Sequence, residues 1–81
     1  MYIENAVQAT EVVKFFLEKM NPNLAFSPKK ATQATVQEGG TSMDYWLVEA
    51  SWGFQVMSFK VRKSDGQITE YESGPIKVAQ S

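Results

Sequence analysis

Residues 43–73, MDYWLVEASWGFQVMSFKVRKSDGQITEYES, decide the fold. The stretch reads as three consecutive β-strands joined by two tight turns. Apolar and polar residues alternate along it, and Gly53 and Asp65-Gly66 punctuate it. The first strand runs over residues 43–51 and the second over 54–63. A two-residue turn at Trp52-Gly53 pairs Val48 with Met57 and Trp46 with Phe59; Trp is an unusual first turn residue, so a longer turn is the alternative. In the tight register Trp46, Val48, Ala50, Met57, Phe59 and Val61 share one face.

The turn at Lys63-Ser64-Asp65-Gly66 admits two registers. A two-residue turn carries Ile68, Glu70 and Glu72 onto the face shared with Phe59 and Val61. A turn with Gly66 as a bulge residue carries Thr69 and Tyr71 there instead. Burying unpartnered glutamates is costly, so the bulged form is expected, with Glu70 opposite Lys60 on the outer face. After Ser73, Gly74-Pro75 breaks the strand, and residues 76–78 read as a short edge segment or a frayed tail.

Upstream, residues 4–20 carry apolar side chains at helical spacing. Ala6, Ala9, Val13, Phe16, Leu17 and Met20 form one stripe, while Gln8, Glu11, Lys14 and Glu18 lie off it. Glu4 is placed in the first turn, where the helix dipole favours negative charge. Val12 and Phe15 flank the stripe, either at the edge of the core or on a contact surface. Asn21-Pro22-Asn23 ends the helix, because proline cannot continue the hydrogen-bond ladder. Residues 24–28 are a connection, with Leu24 and Phe26 folding back on the core. Residues 30–38, rich in Thr and Val, form another strand, and Gly39-Gly40-Thr41-Ser42 a turn or flexible loop. The expected fold class is α+β in two layers: one N-terminal helix on a curled antiparallel sheet of about four strands, as a single α-β-β-β-β domain over residues 1–81.

Composition narrows the chemistry. At 81 residues the chain is short, and a domain of this size buries only roughly 60% of the surface of its unfolded state. It has no cysteine and no histidine, which removes disulfides, thiolate chemistry and the common metal ligand and acid–base group near neutral pH. Eight basic residues face nine acidic ones, for a net charge of -1, so no strong field draws the chain to nucleic acid or an anionic membrane. The start of the chain lacks the basic and apolar regions of an export signal, and no apolar run approaches the ~20 residues of a membrane helix. A cytoplasmic protein is the expectation.

The helix at residues 5–19, the strand Tyr45-Trp46-Leu47-Val48-Glu49, the strand start Phe54-Gln55-Val56 and the closing Ser64-Asp65-Gly66-Gln67-Ile68 resemble a PepSY-like domain. The wider cystatin-like group of helix-on-sheet domains is similar in the same way. The resemblance spans about residues 4–73. It implies a module without catalytic activity, of a kind attached to or secreted beside peptidases and proposed to restrain or sense them.

The residues agree with that absence of catalysis. Asp65 is accounted for by its turn, and Glu49, Glu70 and Glu72 by the solvated side of strands. Gly39-Gly40 lacks the lysine and helix start of a phosphate loop. No cofactor and no metal are expected. Lys60 and Arg62 share a face with Tyr45 and Phe54, as in sheets that stack bases, but Glu49, Glu70 and Glu72 lie there too. Weak single-strand nucleic-acid binding is therefore the alternative, with a small-ligand sensor a further one.

The preferred expectation is a protein contact on the outer sheet face. Tyr45, Leu47, Phe54, Val56 and Ile68 would lie there, the first four clustered near the Trp52 hairpin; Leu47, Trp52, Phe54 and Val56 would anchor the contact, with Lys60 and Arg62 as a polar rim. A symmetric homodimer is the first candidate partner, because closed two-fold pairs are the commonest oligomers. The competing arrangement is a curled sheet whose face is covered by residues 76–78.

Overall fold

The helix α1 (Ala6–Met20) begins where Asn5 turns extended and its side chain accepts a hydrogen bond from the Gln8 N–H at 2.9 Å. This is the computed structural model, which describes residues 2–76. Glu4 lies before the cap rather than in the first turn; its N–H donates to Gln8 Oε1 at 2.7 Å. Ala9, Val13 and Leu17, spaced by four, are the buried residues of α1. Phe16 packs partly against the core, but Met20, the last residue of α1, is half exposed. Of the two flanking residues, Val12 leans on the core and Phe15 stands in solvent.

Four strands follow in a meander, β1 (Phe26–Glu38), β2 (Thr41–Trp52), β3 (Gln55–Arg62) and β4 (Ile68–Ser73), all antiparallel and in sheet order β1-β2-β3-β4. The result is a helix on an open sheet, a two-layer α+β fold. β1 begins at Phe26, four residues earlier than the composition of the strand suggests. Lys29 is an extra residue between Pro28, opposite Ala50, and Lys30, opposite Glu49. That bulge resets the alternation, so Phe26 and Ala31 both pack toward the core although they are five residues apart. It also gives Pro28 an edge position, where its missing N–H is tolerated.

The β1–β2 connection is only Gly39-Gly40. Both glycines have positive φ, 57° and 81°, as a type I′ turn requires, and Thr41 already pairs with Glu38. The β2–β3 turn falls on Gly53-Phe54 rather than Trp52-Gly53. Gly53 has φ 64° and Phe54 does not share it, which is the type II′ pattern. The register is thus displaced: Val48 pairs with Phe59, Ala50 with Met57 and Trp46 with Val61. A displacement of two leaves the side-chain parity intact, and Trp46, Val48, Ala50, Met57, Phe59 and Val61 are all buried beneath the helix.

At the β3–β4 hairpin, Glu70 pairs with Lys60 and Tyr71 with Phe59, but Ile68 pairs with Val61. The bulge sits at Thr69, within β4, and not in the turn alone. Ile68 therefore packs against the core instead of lying on the outer face, and Tyr71 stays on the helix side with it. There Phe16, Phe59 and Tyr71 form an aromatic triangle, with ring centroids 5.7–6.4 Å apart. The core has one further member, Ile3. It is wholly buried, its N–H donates to the Lys63 carbonyl at 2.8 Å, and its own carbonyl accepts from Trp46 Nε1 at 3.1 Å.

Candidate functional site

Side chains opposite the helix come from alternate positions of each strand: Ala34 and Val36 of β1, Tyr45, Leu47 and Glu49 of β2, Val56, Ser58, Lys60 and Arg62 of β3, and Glu70 and Glu72 of β4. Of the residues expected to form a docking face, Tyr45 is 3% exposed, although it points away from the helix. Lys60 Nζ lies 4.5 Å above its ring, and its hydroxyl donates to Glu38 Oε1 at 3.3 Å. Leu47 and Val56 are half-buried. They stand at opposite ends of a cross-strand row, with the Glu49–Ser58 pair between them.

The chain after β4 folds onto this face. The Gly74 N–H donates to the Val56 carbonyl at 2.7 Å, and the Ile76 N–H donates to Glu49 Oε1 at 3.0 Å. Lys77 and Val78, expected to extend that cover, lie outside the described residues. A hollow of about 130 Å³ remains, lined chiefly by Leu47, Ser58, Lys60, Glu72 and Ile76.

Lys60 and Arg62 both have carboxylate partners. Lys60 meets Glu70 at 3.3 Å. Arg62 grips Asp65 with two hydrogen bonds, Nε to Oδ1 at 3.0 Å and Nη2 to Oδ2 at 2.6 Å. Asp65 Oδ1 also accepts the Gln67 N–H. The hydrogen bond from Arg62 first, and that from Gln67 second, lower the Asp65 carboxyl to about 2, and the same pairing raises Arg62. With Glu49 and Glu72 alongside, the face offers phosphate no surplus of positive charge.

The hairpin tip is different. Trp52 belongs to the helix side and packs partly on the core, so it does not join Leu47 and Val56. Phe54, the second residue of the turn, is fully exposed. Behind it the Gly53 N–H donates to the Ala25 carbonyl at 2.8 Å, and the Leu24 side chain fills the space beside Gly53. Leu24, expected to fold into the core, is itself partly exposed. The tip is thus an apolar apex, tied at Gly53 to Leu24 and Ala25. A sequence signal for it existed in the side chain next to Gly53, but it identifies the apex only once the turn position is known.

Among the described residues no three acidic side chains converge as a metal site would need, and no helix is long and apolar enough to cross a membrane. Comparison of the chain with models of protein families, with curated proteins and with solved structures finds no match.

Proposed function

We propose that this chain is a non-catalytic protein-interaction module whose β2–β3 hairpin tip seats Phe54 in an apolar recess of a partner protein. The observation that carries this reading is the complete exposure of Phe54 on a backbone fixed by Gly53 and Ala25. Three of the five phenylalanines, Phe16, Phe26 and Phe59, pack on the core, and folding gains nothing from the ring of Phe54. Covering such a ring on a partner is worth about 1.5–3 kcal/mol, or roughly 10- to 150-fold in affinity. Because the turn is already tied to Ala25 through Gly53, its backbone is placed before a partner binds, which limits the ordering cost. Val56, two residues on, extends the contact from the tip, whereas Leu47, Lys60 and Arg62 stand farther along the sheet and do not adjoin it.

The resemblance to PepSY-like domains makes a peptidase the first partner class to try. A cytoplasmic setting belongs to the same reading, and the lack of cysteine is in keeping with it. The outer face as a whole is a weaker candidate than the tip, since Tyr45 is covered by Lys60 and the Glu49 row by residues 74–76.

The test is a photo-crosslinking residue at position 54 of the full chain in cells that express it, with one at Lys14 as control. A discrete adduct, competed by the unlabelled chain but not by Phe54→Asp, supports the reading. Labelling at position 54 that matches the Lys14 control, or competition by Phe54→Asp as strong as by the unlabelled chain, overturns it.

A further inference from the structure

A second surface is independent of Phe54. Among the described residues β1 is an edge strand of 13 residues whose one strand neighbour is β2. Sheet edges present unpaired main-chain donors and acceptors, and proteins commonly guard them with charges, prolines, bulges or short length. The other edge is guarded in this way: β4 has six residues, carries Glu70 and Glu72, and is broken by the bulge at Thr69. β1 has such guards only at its ends, in Pro28, the Lys29 bulge and Glu38. Residues 31–37, Ala-Thr-Gln-Ala-Thr-Val-Gln, carry no charge, proline or glycine.

The direction of the free groups follows from the turn. Glu38 and Thr41 close a two-residue hairpin, so they exchange both main-chain hydrogen bonds. By alternation Val36, Ala34 and Thr32 also address β2, and Ala31, Gln33, Thr35 and Gln37 turn their N–H and C=O groups outward.

We propose that β1 pairs with β1 of a second copy of this chain, antiparallel about a two-fold axis at Ala34, joining two sheets into one of eight strands. Only the register decides whether this pairing is favourable, and the register centred on Ala34 is complementary. It brings the outward-facing groups of Ala31 and Gln37 of the second copy together, and likewise those of Gln33 and Thr35. On the outer face it sets Lys30 against Glu38 of the second copy, twice by symmetry, and Thr32 against Val36. The small Ala34 meets itself on the axis. On the helix side, Gln37 of the second copy enters the groove between Val7, Thr10, Pro28 and Ala31, where Val7 is otherwise exposed. A pairing shifted by two residues in either direction loses the Lys30–Glu38 contacts.

Sedimentation equilibrium of the full chain from about 1 µM to 1 mM, with amide hydrogen exchange at each concentration, tests the proposal. The expected result is a reversible dimer, with the amides of Ala31, Gln33, Thr35 and Gln37 gaining protection as it forms. Lys30→Glu and Glu38→Lys each place like charges opposite at both ends and should weaken the dimer by about tenfold or more. The double variant K30E/E38K should recover to within a few-fold of the original. Gln33→Pro removes an outward N–H and should leave a folded monomer; should that variant not fold, the charge-reversal set still decides. A chain monomeric at 1 mM overturns the proposal. So does a dimer in which K30E/E38K is no tighter than either single variant. Phe54→Asp should not change the dimer; if it abolishes it, the hairpin tip and not the edge is the self-contact.

Discussion

The indole N–H of Trp46 donates to the carbonyl of Ile3, 43 residues earlier in the chain, at 3.1 Å. Ile3 is wholly buried, so that carbonyl has little access to water, and its N–H is bound to Lys63. One side chain in β2 therefore holds the segment before the helix against the sheet. Trp46→Phe keeps an aromatic body but leaves the carbonyl unsatisfied. It should cost about 1–3 kcal/mol in urea unfolding. Ile3→Ala should cost about 2–5 kcal/mol by the same measurement, as a core deletion does.

Gly53 is needed for two reasons that act together. Its φ of 64° disfavours any L side chain, and a Cβ there would come within 3.3 Å of Leu24. Gly53→Ala should destabilise the fold by about 1–3 kcal/mol. Gly40, also at positive φ, has nothing within 4 Å of a built Cβ. Gly40→Asn should be far milder, because asparagine tolerates the left-handed region. Thermal unfolding of the two variants side by side checks the contrast.

Phe54 and Phe59 should separate stability from binding. Phe54→Asp should change unfolding free energy by no more than about 0.5 kcal/mol, since the ring touches no core. Phe59→Ala should cost about 3–5 kcal/mol, because that ring sits beneath Phe16 and beside Tyr71. The adduct formed from position 54 should resist competition by Phe54→Asp, and the circular dichroism of that variant should match that of the original chain.

Acid should loosen the β3–β4 hairpin in a defined window. The Asp65 carboxyl is lowered from 3.8 to about 2 in the folded chain. A depressed carboxylate contributes stability that is present above the unfolded value and is lost as pH falls through the folded one. The Asp65 contribution is thus full above about pH 4 and gone below about pH 2. Asp65→Asn keeps an acceptor for the Gln67 N–H but has no titration, so it should flatten that part of the pH–stability curve. Urea midpoints measured every half unit from pH 5 to pH 1.5 give the comparison. A slope equal in both chains would mean that the Arg62–Asp65 contact adds nothing.

What the amino-acid order determined by itself was periodicity. A spacing of four in Ala9, Val13 and Leu17 and a spacing of two through Trp46, Val48 and Ala50 specify which face of each element is apolar. Those faces have only each other to bury against, so helix on sheet follows. The Lys60–Glu70 pair was legible for a related reason: leaving glutamates in the core is costly enough to select the register. Tertiary structure alone decided where turns and bulges fall, because one residue more or less in a hairpin changes local energy little yet reassigns every side chain beyond it. Hence Gly53-Phe54 rather than Trp52-Gly53 makes the turn, Ile68 joins the core through the bulge at Thr69, and Phe26 does so through the bulge at Lys29. Tyr45 and Ile3 are buried by partners distant in sequence, Lys60 and Trp46, and no local pattern encodes a neighbour that only the closed fold supplies.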